Sequence, residues 1–196
     1  VDSDSDGAVD GLDAFPLDEA EALDTDNDGV GNNEDDDDDG DGYSDDYEIK
    51  DCILVMVICN HCPYVIHYHD QLKKLVSDFS QSVSFIAISS NNVITHPEDS
   101  PDKMKKLFQK LNFDFPYLYD ETQEVARLFK AECTPEFYLY DDFKKLVYRG
   151  RLDDSSPGNG KEIDGKDLRS AIDSFLKGKK ISSEQFPSMG CNIKWK

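Results

Sequence analysis

The stretch Cys52-Ile53-Leu54-Val55-Met56-Val57-Ile58-Cys59-Asn60-His61-Cys62-Pro63 decides how this chain folds. Residues 52–58 form a continuous apolar run rich in β-branched side chains, as expected of a parallel strand buried on both faces. Pro63 suits the first turn of a helix, and Val65, Tyr68, Leu72, Leu75, Val76 and Phe79 then share one helical face. Cys59 and Cys62 therefore sit at a strand-to-helix junction, where the helix dipole and unpaired N–H groups stabilise a thiolate. Cys59 reads as the attacking thiol and Cys62 as the one that resolves a mixed disulfide. His61, between them, is expected to donate to the Cys59 thiolate or pair with it as a cation, and so to lower the Cys59 pKa. A zinc site would need a second Cys or His pair at ligand spacing, which the sequence lacks.

Outward from this junction the pattern alternates. Residues 83–89 read as a second strand, and Ser100-Pro101 opens a helix carrying Met104, Leu107, Phe108 and Leu111. A short strand over 115–119 follows, then a helix capped by Asp120 that carries Val125, Leu128 and Phe129. Residues 136–140 and 146–149 form a hairpin, and 166–177 a last amphipathic helix closed by Gly178. The fold class is α/β, with a central mixed sheet flanked by helices over residues 51–196.

The first 48 residues are of another kind. They hold 21 of the chain's 42 acidic residues and none of its 21 Lys and Arg, so the net charge of −21 lies there and the remainder is balanced. Phosphate contacts need Lys and Arg, and neither part offers a basic stripe, which argues against nucleic-acid binding. No apolar run is long enough to span a membrane. The acidic part repeats itself. Asp2, Asp4, Asp6, Gly7, Asp10 and Asp13 recur in phase as Asp24, Asp26, Asp28, Gly29, Asn32 and Asp35, and again as Asp37, Asp39, Asp41, Gly42, Asp45 and Glu48. Carboxylates at loop positions 1, 3 and 5 with Gly at 6 supply the hard oxygen ligands and the sharp turn of a Ca²⁺ loop. Few apolar residues flank these loops, so a loop-rich segment organised by Ca²⁺ is expected over residues 1–48.

This segment resembles thrombospondin type 3 repeats, with Asp13-Ala14-Phe15-Pro16-Leu17-Asp18 similar to the linker between bacterial copies. The resemblance implies a metal-organised fold with little core. Residues 51–196 follow the thioredoxin order of elements and resemble the thioredoxin-like branch of the alkyl hydroperoxide reductase and thiol-specific antioxidant superfamily. The stretches that carry it are Cys59-Asn60-His61-Cys62-Pro63-Tyr64-Val65, His96-Pro97-Glu98-Asp99-Ser100, Pro116-Tyr117-Leu118-Tyr119-Asp120, Cys133-Thr134-Pro135, Tyr148-Arg149-Gly150-Arg151-Leu152-Asp153-Asp154 and Gly190-Cys191-Asn192-Ile193-Lys194-Trp195-Lys196. It implies a redoxin domain, a cis peptide at Thr134-Pro135 facing the dithiol, and a Thr134 backbone that pairs with an extended substrate segment. Ile58 stands where thioredoxin carries Trp. The N-terminal strand usual in the family is missing, which leaves residues 83–89 as an unprotected sheet edge.

Three functions remain open. The first is a thiol–disulfide oxidoreductase acting on a protein or small-molecule substrate, with Cys59, His61, Cys62, Thr134 and Pro135 as its site. The second is a thiol peroxidase consuming peroxide at Cys62, with Cys59 in the position of the peroxiredoxin Thr. The third is a Ca²⁺-dependent surface or stalk module whose redox domain is idle. Among the other cysteines, Cys52 and Cys133 read as core residues and Cys191 as a thiol that could reach back to resolve. Trp195 reads as an anchor of the tail. The chain begins at Val1 without a basic-then-apolar leader, so a signal peptide has been removed or the sequence is a fragment. Calcium loops of millimolar affinity point to a periplasmic, cell-surface or secreted setting, and a cytoplasmic one if the junction near Glu48 is not natural.

Overall fold

A computed structural model describes residues 1–35, 38 and 50–196. The chain divides into two units, Val1–Glu48 and Ile49–Lys196.

In the second unit, strand β1 (Cys52–Val57) lies at the centre of a five-stranded sheet. Its neighbours are β2 (Val83–Ser89), parallel, with Leu54 opposite Phe85, and β5 (Glu136–Asp141), antiparallel, with Leu54 opposite Leu139. The sheet is completed by β3 (Tyr117–Tyr119), parallel to β2, and β6 (Leu146–Gly150), antiparallel to β5. A strand buried on both faces must be apolar at every position, which is why the sequence of β1 does not alternate. Leu54 and Met56 face one layer with helix α1 (Pro63–Phe79) and helix α4 (Lys166–Leu176), where Val65, Leu72, Leu75, Leu168 and Ile172 fill the core. Val55 and Val57 face the other layer, closed by Ala126, Tyr138 and Ile193. Leu54 and Leu139 are both fully buried at the sheet centre. Leu54→Ala is therefore expected to cost about 2–5 kcal/mol through lost transfer and a residual cavity, read from the urea midpoint at unchanged slope. A loss below about 1 kcal/mol would mean that the neighbours collapse into the space.

Three expectations need adjustment. The edge of residues 83–89 is covered in part, because β3 lies along Ala87, Ile88 and Ser89. The strand expected over 115–119 starts two residues late. Phe115 instead turns into the core, with ring centroids 5.7 Å from Phe85 and 5.0 Å from Phe108. The helix expected after Asp120 is only α3 (Glu124–Leu128), opened by Gln123 in a left-handed conformation. Asp120 still caps it from a distance, its carboxylate accepting from the Ala126 N–H at 2.9 Å and the Val125 N–H at 3.3 Å. Leu128 falls on the solvent side of this single turn and joins no core. Between α1 and β3 the chain forms a 3₁₀ turn, Pro97–Asp99, and helix α2 (Pro101–Leu111). Among the described residues no helix is long and apolar enough to cross a membrane.

Burial has a consequence for alkaline stability. Cys52 is pushed up to about 12 by burial and by Asp51, and Cys133 to about 12 by burial and by Glu136. An unfolded thiol ionises near 8.5, so between about pH 8.5 and 12 the folded state holds protons that the unfolded chain has lost. Their contribution is complete below the unfolded value and is lost as pH rises. The urea midpoint is expected to fall across this window, less steeply in Cys52→Ala. A mutant slope equal to wild type would remove Cys52 from the titration.

In the first unit the two described repeats have one backbone design. Ser5 and Gly7 adopt positive φ in the first, as do Asn27 and Gly29 in the second. Asp4 and Asp6 accept from the N–H groups two residues on, as do Asp26 and Asp28. The third repeat, from Asp37 through Asp39, Asp41 and Asp45 to Glu48, lies outside the described residues.

Candidate functional site

All five cysteines are thiols in this structure. Cys59 follows β1, and Cys62 is the residue that caps α1, whose helical turns begin only at Pro63. This placement alters the chemistry expected of the pair. The N–H groups of the first turn are offered to Cys62, three residues closer to the helix than Cys59. The Cys62 thiol is held well below its usual range by the hydrogen bond from Cys59, against the effect of burial, with further help from Cys191, the Thr134 hydroxyl and the Val65 N–H. Cys59 moves the other way, raised by donating its proton to Cys62, by burial and by the Asp99 carboxylate. These surroundings therefore work opposite to the expected order, favouring the anion at Cys62 over Cys59.

His61 does not play the part expected of it. Its Nδ1 lies 2.7 Å from Asp99 Oδ2 and 4.0 Å from Cys59 Sγ. A carboxylate can only accept, so the Nδ1 proton goes to Asp99 and is lost to Cys59. Asp99, quoted above only as part of a resembling stretch, is the organising residue that the sequence reading passed over. It is fully buried and also accepts from the Asn60 N–H at 2.8 Å, the His61 N–H at 3.3 Å and Asn91 Nδ2 at 2.8 Å. Its signal was a carboxylate just before a helix, which reads as an ordinary cap. Cys59, His61 and Asp99 bring donor atoms within 4.8 Å of one another. The short Asp99–His61 bond and the two backbone donors already account for that carboxylate without an ion.

The structure does bring Thr134 and Pro135 to the dithiol. The Thr134-Pro135 peptide is cis. Thr134 Oγ1 lies 3.4 Å from Cys59 Sγ, and the Thr134 carbonyl oxygen 3.1 Å from Cys62 Sγ. Both sulfurs thus contact one residue, Cys59 at its hydroxyl and Cys62 at its carbonyl. A cleft of ≈ 360 Å³, lined by Pro135, Tyr68, Arg151, Ser155 and Met189 among others, opens beside the cis peptide. The backbone of Thr134 is not free for a substrate. Strand β7 (Cys191–Asn192) pairs antiparallel with β4 (Cys133–Thr134), placing Cys191 opposite Thr134. Trp195, expected to anchor the tail, is exposed, with the Arg127 guanidinium 4.4 Å above its ring, and the buried tail residue is Ile193.

A redoxin family description matches residues 34–166. The chain belongs to the redoxin family. Two solved structures are close in sequence to this redoxin. An uncharacterized conserved protein of Geobacillus kaustophilus is 48% identical over 80% of this chain and 85% of its own, with a TM-score of 0.75. A hypothetical protein of Sinorhizobium meliloti is 42% identical over 76% of this chain and 82% of its own, with a TM-score of 0.74. A thioredoxin-like protein in its oxidized form shares the fold at 15% identity and a TM-score of 0.52, covering 66% of this redoxin and 80% of its own chain. A comparison with curated proteins finds no match.

In the acidic unit, carboxylates converge at two places. Asp2, Asp4 and Asp6 form one group and Asp24, Asp26 and Asp28 the other, each with ligand oxygens within 4.8 Å of one another. Asp10 accepts from the Ser3 N–H and hydroxyl, and Asn32 occupies the same place against Thr25. Asp13 caps the Phe15 N–H, and the Asp35 N–H donates to the Gly31 carbonyl. Oxygens of Asp4 and Asp24 are buried without a hydrogen-bond partner, as is Oε1 of Glu21, which packs against Gly31.

Proposed function

We propose that this redoxin is a thiol–disulfide oxidoreductase whose couple is Cys59–Cys62. The observation that carries this reading is the position of both sulfurs on Thr134, beside a cis-proline. In the resting dithiol Cys62 is the thiolate and Cys59 its donor. Transfer of that proton makes Cys59 the nucleophile, with the Thr134 hydroxyl ready to donate to it and the Thr134 carbonyl at 3.1 Å ready to accept from the new Cys62 thiol. Cys59 then attacks one sulfur of a protein or small-molecule disulfide, and the departing thiolate takes the proton from Cys62. The Cys62 thiolate attacks Cys59, forming the internal disulfide and expelling the second thiolate.

Reduction of insulin disulfides by dithiothreitol tests this. Wild type is expected to accelerate it, and Cys59→Ser and Cys62→Ser to fall to the uncatalysed rate. Catalysed peroxide consumption with no insulin reduction would replace this reading by the peroxidase at Cys62. A protein inert in both assays would leave the redox domain idle.

We further propose that residues 1–48 bind Ca²⁺, with Asp2, Asp4, Asp6, Asp10 and Asp13 in one loop and Asp24, Asp26, Asp28, Asn32 and Asp35 in the next. Support comes from the two convergent carboxylate groups and from their buried oxygens that lack hydrogen-bond partners. The ion would supply the charge that lets these carboxylates stay close. Loops of this kind bind Ca²⁺ at millimolar levels when they serve outside the cytoplasm, which favours an extracytoplasmic setting. Chelation is expected to abolish amide protection in residues 1–35 and leave residues 51–196 unchanged. Equal protection with and without chelator would count against the metal.

A further inference from the structure

The dithiol is buried: Cys59 is 1% and Cys62 0% exposed. The chain's own C-terminal tail runs beside Cys62, and it brings a thiol. Cys191 sits opposite Thr134 in the β4–β7 ladder, and Cys62 Sγ lies 3.1 Å from the carbonyl oxygen of that same Thr134, so the two thiols flank one residue and each shifts the other's titration. Of these three thiols Cys191 alone is partly exposed.

The tail is fastened on both sides of this cysteine. Before it, the Phe186 carbonyl accepts from the Arg151 N–H at 3.1 Å, and Ser188 Oγ donates to the Gly150 carbonyl at 2.7 Å. Gly190 lies so close to the Thr134 carbonyl that any Cβ there would collide with it. After it, Ile193 is buried in the sheet's second layer, and the Lys194 N–H donates to Asn91 Oδ1 at 2.8 Å. The Lys194 carbonyl accepts from the Asn92 N–H at 2.8 Å and from Gln123 Nε2 at 2.9 Å. A segment held this tightly is no loose lid that each substrate displaces. It is a fixed wall of the site with one sulfur built into it.

We infer that Cys191 is a third redox residue of this site, the thiol through which an external dithiol reductant reaches the buried Cys59–Cys62 disulfide. The inference rests on the proposed oxidoreductase reading. In the oxidised protein Cys191 gives up its proton and attacks Cys62. The Cys191–Cys62 bond forms, the Cys59–Cys62 bond breaks, and Cys59 leaves as a thiolate that takes up the proton, so that three sulfurs share one disulfide throughout. The external dithiol then attacks Cys191 at the surface, forming a mixed disulfide and releasing Cys62 as a thiolate. Its second thiol attacks the mixed bond, leaves as a cyclic disulfide and returns Cys191 reduced. Cys62 is the sulfur common to both internal disulfides: Cys191 attacks it in the first exchange, and in the second it leaves as the thiolate that its surroundings favour.

The test oxidises the full chain with one equivalent of diamide, blocks free thiols with N-ethylmaleimide in acid and maps disulfides by peptide mass. Cys59→Ser is expected to close a Cys62–Cys191 disulfide in nearly every molecule, and wild type to show both Cys59–Cys62 and Cys62–Cys191. Reduction of oxidised wild type by dithiothreitol is expected to run at least roughly tenfold faster than that of Cys191→Ser. A wild type carrying Cys59–Cys62, with no Cys62–Cys191 bond in Cys59→Ser, overturns the relay and leaves the couple standing. Equal reduction rates overturn it as well. Absence of Cys59–Cys62 from oxidised wild type removes the underlying reading, and the relay with it.

Discussion

Replacing Asp99 by Ala is expected to lower the unfolding free energy by about 3–5 kcal/mol, because it strips the partner from several buried donors at once. The Asn60 and His61 N–H groups, His61 Nδ1 and Asn91 Nδ2 all point at this one carboxylate. Asp99→Asn separates charge from shape. It keeps an acceptor for part of this set and removes the negative charge that helps raise Cys59. In a Cys62→Ser background, where the shared proton is gone, Asp99→Asn is expected to lower the Cys59 pKa, as seen in thiolate absorbance against pH. A Cys59 titration indifferent to Asp99→Asn would show that the carboxylate acts only as a clamp on the loop. Urea unfolding of Asp99→Ala within about 1 kcal/mol of wild type would show that water replaces it.

Much of the redoxin domain could be read from the chain because its signals are local. A short apolar run rich in β-branched residues reads as a strand buried on both faces, and a proline after the second cysteine marks where the helix starts. Those two facts place Cys59 and Cys62 at the junction. The same proline held information that the dipole argument overlooked: a helix whose first turn begins at residue 63 gives its N–H groups to Cys62. The roles within the pair depend on that one-residue boundary, which motif spacing alone does not set. His61 shows a second limit. From sequence it faces Cys59, its neighbour two residues away, whereas in the fold Asp99, 38 residues on, takes its Nδ1 proton. A buried carboxylate brought in by a separate turn has no local signature.

The tail was the hardest part to read. Gly190 and Cys191 look like a polar terminus after a proline, and only the docking of Ile193 among Val55, Val57, Ile88 and Tyr138 shows that the segment belongs to the core. One buried isoleucine in a short charged tail carries no periodicity. The sheet edge beside the cis-proline is consequently occupied by the chain itself, where an extended substrate segment had been expected. On the other flank of Cys59, His61 stacks on His96 with ring centroids 5.0 Å apart.

The proposed chemistry implies a defined order of attack. Cys62→Ser is expected to trap nearly one equivalent of mixed disulfide on Cys59 when the protein meets oxidised glutathione or a disulfide peptide, since the resolving thiol is gone. The trapping should be slower than the first step in wild type, because the variant also lacks the thiolate that takes the Cys59 proton. Raising the pH should restore the rate, as Cys59 ionises without help. Cys59→Ser is expected to trap little adduct at Cys62, which is fully buried. The competing peroxidase chemistry predicts the opposite pattern, a sulfenic acid at Cys62 in Cys59→Ser after peroxide, unless Cys191 condenses with it. Peptide mass spectrometry of the two variants distinguishes these orders. An adduct at Cys62 in Cys59→Ser, with none at Cys59 in Cys62→Ser, would assign the attack to Cys62.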